Sequence, residues 1–258
     1  MTNPLKIAHV ITRLIVGGAQ ENTLLSVEGL QGKSDYTVDL ITGPPLGPEG
    51  SLLERAEEKN VSLILVPELR RDINLLYDMI AFIRLVRLFA KKKYDVIHTH
   101  SSKAGVLCRV AAFCTRCPVV IHTIHGLPFH KYQNVFVNRL YIALEKLCAA
   151  LTTKIVTVCP EMKRKALEKN IGRPEQYITV YSGINTAPFR SVNEAVIRDI
   201  RRSHDIPDDA FVVGKIARLF HLKGHRFLLP AARDIITAHP NTYFLLVGNG
   251  ILQPSLYE

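Results

Sequence analysis

Short apolar runs rich in β-branched residues recur along the chain, over residues 6–12, 36–42, 61–66, 95–99, 119–123, 154–158, 177–181, 212–217 and 243–247. Each run is nearly continuous and does not alternate with polar positions, which marks strands buried on both faces of a parallel sheet. The intervening stretches read as helices. They cover residues 19–30, with Leu24, Leu25 and Val27 on one side, then 51–60, opening on Ser51 as a cap, then 74–93, long and amphipathic. Residues 103–115, 135–150, 161–170, 193–203 and 225–239 complete the set. Strand and helix alternate throughout, so the expected class is α/β, with right-handed crossovers.

The pattern breaks once. Residues 181–190 combine a glycine turn, a proline and polar side chains, so a boundary is expected within 182–192. The expected domains are 1–190, a full α/β unit, and 191–258, which opens a second one. The second stretch supplies two strands, too few for an open sheet to cover itself, so it reads as an incomplete domain.

Composition adds limits. The chain has 258 residues, 47% of them hydrophobic, enough for a packed core. No apolar run reaches the roughly 18 residues that span a bilayer. The opening Met1-Thr2-Asn3-Pro4 lacks the zones of a signal peptide, so the expected location is the cytoplasm. The net charge of +10 favours acidic partners, whether phosphorylated substrates, anionic lipid or nucleic acid. Five cysteines without a secretory context are expected as free thiols. Cys114 and Cys117 form a C-x-x-C with Cys108 before and His122 after, but a zinc site wants a second pair, so ordinary half-buried thiols are expected.

Four places carry candidate chemistry. Gly17 and Gly18 join the first strand to a helix, either as a plain tight turn or as a close approach for a phosphate at the helix N-terminus. The spacing is neither G-x-G-x-x-G nor a P-loop. Histidines gather at the ends of the fourth and fifth strands: His98 and His100, then His122, His125 and His130. In open α/β sheets ligands bind beyond the carboxyl ends of strands, which puts these residues where a site belongs. They either bond loop carbonyls or take part in that site; His98 and His100, two apart on one strand face, could also chelate a metal. Arg218, ending a strand, and Lys223, just before a helix, form an anion clamp suited to a diphosphate, or else a solvated basic loop. Gly248 and Gly250 flank Asn249 after the last strand, as a turn or a nucleotide contact.

These segments together resemble the family-4 class of retaining glycosyltransferases with the GT-B fold. The matching stretches are IAHVITRLIVGGAQ at 7–20, DVIHTHSSKAG at 95–105, PVVIHTIHG at 118–126, VYSGIN at 180–185, IARLFHLKGH at 216–225 and LLVGNG at 245–250. The resemblance implies an N-terminal acceptor-side domain and a C-terminal domain for a UDP-, GDP- or similar nucleotide sugar. It implies donor-phosphate contacts at Gly17 and Gly18, a histidine near the transferred sugar at His125, and stabilisation of the leaving diphosphate by Arg218 and Lys223. Gly248 and Gly250 would lie on the donor side. Cations aimed where negative charge builds lower the barrier, so no metal is expected, and no D-x-D triplet occurs in the chain. The family also places a glutamate pair and a final crossing helix further along; the chain is expected to be C-terminally truncated before them. A glycan or lipid-linked acceptor is implied.

Residues 74–93 and 129–147 combine apolar side chains with lysine and arginine. They either pack on the sheet or touch an anionic membrane at its inner face. Two other readings remain: a nucleotide-sugar epimerase or phosphorylase on the same double-Rossmann plan, and an inactive fragment that only binds. Nucleic-acid binding is not expected, since the aromatics are not interleaved with basic residues as a stacking platform requires.

Overall fold

The computed structural model describes residues 3–191 and 193–256. Met1, Thr2, Val192, Tyr257 and Glu258, used above at the termini and at the expected boundary, lie outside the described residues. The chain divides into two units, Met1–Ile184 and Asn185–Glu258, each described by itself.

The first unit runs β1 (Leu5–Arg13), α1 (Gly18–Gln31), β2 (Tyr36–Gly43), α2 (Leu53–Glu58), β3 (Ser62–Leu65), α3 (Leu75–Lys92), β4 (Val96–His100), α4 (Ser102–Cys114), β5 (Val119–Ile124), α5 (Val135–Ala150), β6 (Lys154–Thr157), α6 (Pro160–Glu168) and β7 (Tyr177–Thr179). Local chemistry sets several boundaries. Asn74, Asn134 and Asn193 each accept a backbone N–H of the helix that follows, satisfying a donor that has no partner inside the helix. α2 is shorter than expected: Ser51 Oγ accepts the Leu53 N–H from outside the helix and the first turn starts later.

The sheet has seven strands in the order β3-β2-β1-β4-β5-β6-β7, all parallel. The order reverses direction between β1 and β4. Consequently α1 and α2 cover one face of the sheet and α3 and α4 the other. Ile7, Ile11, Val38 and Leu40 pack with Leu24, Val27 and Ala56 on the first face. Ala8, Val10 and Ile97 pack with Ala81, Leu85, Phe89, Ala104 and Cys108 on the second. Burial pushes the Cys108 thiol up, so it behaves as a small apolar side chain. All five cysteines are free; Cys114 is exposed and Cys117 half-buried.

The amphipathic reading of 74–93 divides in two. Leu85 and Phe89 are core, with Phe82 and Val86 packed against it, whereas Leu75, Leu76 and Met79 are 82%, 69% and 52% exposed. In α5 the usual pattern is broken: Val135, Phe136, Leu140 and Leu147 are exposed, while Glu145 is buried along with Cys148 and Ala149. Among the described residues no helix is long and apolar enough to cross a membrane.

The second unit contains α7 (Glu194–Ser203), β8 (Phe211–Ile216), α8 (His225–Ala238), β9 (Thr242–Val247) and α9 (Gln253–Leu256). β8 and β9 pair in parallel, Phe211 opposite Thr242 through Ile216 opposite Val247.

Candidate functional site

The reversal between β1 and β4 opens a crevice at their carboxyl ends, the usual ligand position in such sheets. Thr12 and Arg13 end β1; His100 ends β4; His125 follows β5. Ser101 makes the turn into α4 with φ at 63°, a backbone region costly for a residue with a side chain. Thr12 supports that turn: its hydroxyl lies 2.7 Å from Ser101 Oγ and accepts the Ala104 N–H.

His9, which sequence reasoning missed, joins the histidine group. Parallel pairing sets His9 opposite His98 and His100 opposite Thr123, so these side chains share one face. His9 Nδ1 lies 3.0 Å from His100 Nε2, and His100 Nδ1 lies 3.0 Å from His125 Nε2. His98 Nε2 sits 2.7 Å from Thr123 Oγ1. His122 points to the other face, 2.8 Å from Thr99 Oγ1 and directly under Gly105 of α4, where a Cβ would come within 2.6 Å of its ring. His130 stands apart, bonded through its backbone to Asn138.

Burial governs the charge of these rings. It lowers His9 and His125 to about 4. Burial, with the neighbouring rings adding to it, holds His98 and His100 well below the ordinary histidine range. His122 is lowered the same way, burial first and then Arg109. The cluster is neutral at physiological pH. Ring nitrogens of His9, His98 and His100 lie within 4.8 Å of one another, so a metal could fit there by distance.

Two adjoining cavities open on this crevice. One, of about 320 Å³, is lined by Ala19, Ser101, Ser102, His125, Gly126 and Glu145. The other, of about 480 Å³, shares Ser101, Ser102 and Glu145 and continues along Arg13, Arg71, Lys103, Ile73, Tyr141 and Leu144. Lys103 is paired with Asp78 and Arg13 with Glu49. Gly17 and Gly18 lie at the α1 N-terminus beside Ala19. A Cβ at Gly18 would meet nothing within 4 Å, and one at Gly17 only the flexible Gln20 side chain, so that helix end is open.

Glu145 is held by Arg109, whose Nη2 donates to Oε2 at 2.8 Å while Nε donates to Gly105 O. Both residues are buried, and Arg109 is 0% exposed. Removing one partner strands the other charge. Arg109→Met alone is expected to destabilise the first unit by about 3–5 kcal/mol, whereas Arg109→Met with Glu145→Leu should cost far less. Urea unfolding of the two variants checks this; equal losses would show that the pair's charge is not what matters.

In the second unit the strand ends carry Arg218, Lys223, Gly248 and Gly250. Arg218 and Lys223 are both exposed, Lys223 in a short 3-10 turn (His221–Lys223) leading into α8. His225, also missed from sequence, is buried and its Nε2 lies 3.2 Å from Arg218 O, bracing that loop. A Cβ at Gly248 would sit 2.0 Å from Ala217 O, and one at Gly250 2.3 Å from Leu219 O. These glycines therefore let the β9 loop lie flat against the backbone that bears Arg218.

The site residues fall into two groups. Gly17, Gly18 and His125 converge at the crevice of the first unit; Arg218, Lys223, Gly248 and Gly250 converge at the strand ends of the second.

Comparison with known proteins follows the same lines. The chain is 30% identical to the UDP-Gal:alpha-D-GlcNAc-diphosphoundecaprenol alpha-1,3-galactosyltransferase of Escherichia coli, over 98% of this chain and 64% of that protein. It is 27% identical to the capsular polysaccharide biosynthesis glycosyltransferase CapM of Staphylococcus aureus, over 74% of this chain and 50% of that one. Its fold is similar to that of HepE from Anabaena, solved with UDP and glucose, at a TM-score of 0.73, 18% identity and coverage of 98% of this chain and 63% of that one. A Neisseria meningitidis UDP-GlcNAc 2-epimerase bound to UDP-GlcNAc shares the fold less closely, at a TM-score of 0.63 and 14% identity, covering 94% of this chain and 65% of that one. The chain thus spans just under two thirds of the length of the Escherichia coli relative and of HepE. Residues 16–188 match the family model described as Glycosyltransferase Family 4, and the chain belongs to that family.

Proposed function

We propose that the protein transfers a sugar from a nucleotide diphosphate-sugar, such as a UDP- or GDP-sugar, to a glycan or lipid-linked glycan, with retention at the anomeric carbon. The observation that carries this reading is the pair of adjoining cavities, one with His125 and Gly126 and the other lined by Ile73, Tyr141 and Leu144 together with Arg13, Arg71 and Lys103. Names of relatives support it: one acts with UDP-galactose on a diphosphoundecaprenol-linked sugar, and one neighbour holds UDP and glucose.

In this reading the first unit takes the acceptor and the second the donor. As the bond from anomeric carbon to diphosphate oxygen breaks, its electrons stay with the diphosphate. Arg218 and Lys223 offset that charge, and Gly17 and Gly18 open the α1 N-terminus to phosphate oxygens. The acceptor hydroxyl oxygen forms the new bond at the same carbon, and its O–H bond breaks as the proton passes to the departing diphosphate oxygen. His125 contacts the transferred sugar. Two cations do the work of a metal, so none is required. Gly248 and Gly250 belong to the donor side by seating the Arg218 loop.

A peripheral place at the inner face of an anionic membrane suits the same acceptor. Exposed Leu75, Leu76, Val135, Phe136 and Leu140 stand on the helices that bear Asp78, Tyr141 and Leu144 of the larger cavity, with Arg71, Lys131 and Arg139 nearby in sequence. The test is incubation with labelled nucleotide sugars and anionic vesicles carrying a diphosphoprenyl sugar, with a chelator present. Labelled lipid is the expected product, with protein sedimenting alongside the vesicles. Isomerised free nucleotide sugar would point instead to an epimerase, and binding without product to a fragment that only binds.

A further inference from the structure

His100 uses both ring nitrogens in the file that runs from His9 to His125. A neutral imidazole has one N–H and one lone pair. His100 must therefore donate on one side and accept on the other. A protonated His100 would donate to both neighbours, but burial and the surrounding rings hold it well below the usual histidine range. Two arrangements remain, and they are mirror images. Protons point either from His9 towards His125, each ring carrying its hydrogen on Nδ1, or the reverse, each on Nε2.

The ends of the file decide between them. His9 Nε2 is buried and has no hydrogen-bond partner among the described residues. Reverse polarity would place a bare N–H there; forward polarity leaves a bare lone pair. Buried orphan N–H groups are the rarer of the two in folded proteins. At the other end His125 fronts the 320 Å³ cavity, and Nδ1 is its remaining nitrogen.

We propose that the file is polarised from His9 to His125: His9 Nδ1–H donates to His100 Nε2, His100 Nδ1–H donates to His125 Nε2, and His125 thereby presents Nδ1–H to the cavity. His9 and His100 are positioning residues. They set which nitrogen of His125 carries the hydrogen. The ligand class this suits is a sugar hydroxyl, gripped by a neutral N–H that adds no positive charge beside a ring where positive charge develops. That consequence rests on the transfer reading; the tautomers do not. His100 cannot serve a metal at the same time, because a bound ion would take the one lone pair with which it accepts from His9.

Long-range proton–nitrogen correlation spectra of this chain, labelled at histidine nitrogen and recorded near neutral pH, test the proposal directly. Expected are a pyrrole-type Nδ1 and a pyridine-type Nε2 for His9, His100 and His125 alike. A pyrrole-type Nε2 at His125, or two averaged nitrogens, overturns it. So does stoichiometric uptake of zinc that shifts His9, His98 and His100 together. His100→Phe keeps the ring volume and cuts the file, and should turn the His125 signals into an average of both tautomers; an unchanged Nδ1–H in that variant overturns the positioning role. Sugar transfer by a protein whose His125 carries hydrogen on Nε2 sinks this proposal alone, whereas the expected spectra without any transfer sink only the transfer reading.

Discussion

Acidification from pH 6.5 towards 4 is expected to strip the first unit of several kcal/mol of stability. In an unfolded chain each histidine takes up its proton near 6.5. In the fold His9 and His125 do so only at about 4. Burial holds His98, His100 and His122 well below 6.5 as well. Across that window the unfolded chain binds more protons than the folded one, so stability falls as pH falls. The slope is about 1.4 kcal/mol per pH unit for each histidine that stays neutral only in the fold. The contribution is fully present above 6.5 and is lost as pH drops through the folded-state values. Asp39 adds a smaller step below. Burial alone would raise its carboxyl, but hydrogen bonds from Ser62, Tyr94 and Lys92 outweigh it and hold it below 3.8, so its share disappears under that pH. Urea titrations at a series of pH values check the slope, and His98→Leu should make it shallower. A flat profile between 6.5 and 4 would mean that the rings titrate normally inside the fold.

Arg218→Ala and Lys223→Ala are expected each to lower turnover about a hundred- to a thousand-fold, the usual loss when one group aimed at developing charge is removed. Both side chains are exposed, so the second unit should keep its melting behaviour. Arg218→Lys should recover little, because an ammonium cannot reproduce the planar fork on a diphosphate. His225→Phe should act in the same direction more weakly, since it removes only the brace on Arg218 O. Turnover and UDP affinity measured together separate chemistry from binding. Turnover within about threefold of the unaltered protein for both alanine variants would remove the clamp, since the group removed would then carry almost none of the charge stabilisation.

Much of the architecture was legible because buried parallel strands have no polar face to disguise them. All nine expected strands form, displaced by a few residues at most, and the eight expected helices form between them. Helix ends were less legible. Ser51 looked like the cap of α2, but its hydroxyl bonds Leu53 from one position further out. The segment 74–93 looked amphipathic, yet it packs on the sheet only from Ala81 onward; its beginning lies beside the larger cavity. The extent of α5 was legible, but its buried acidic side chain was not. Its buried Glu145 makes sense only with Arg109 of α4 opposite it, a partner far away in the chain.

For the site, residue types along the chain determined the candidates: glycines after a strand, histidines at strand ends, an arginine and a lysine around a turn. Those are local patterns, and local sterics and hydrogen bonding suffice to place them at the carboxyl ends of strands. Which candidates meet is a question of strand order and register, and those depend on how helices of different chain segments cover the sheet. Only the tertiary structure put β1 beside β4, and with it His9 opposite His98 and in line with His100 and His125. Only packing turned Gly248 and Gly250 into a seat for the Arg218 loop, because a missing Cβ has meaning only when another backbone occupies its place. Charge followed the same rule: the imidazoles are neutral because the fold removes water from them, which no spacing along a chain can state.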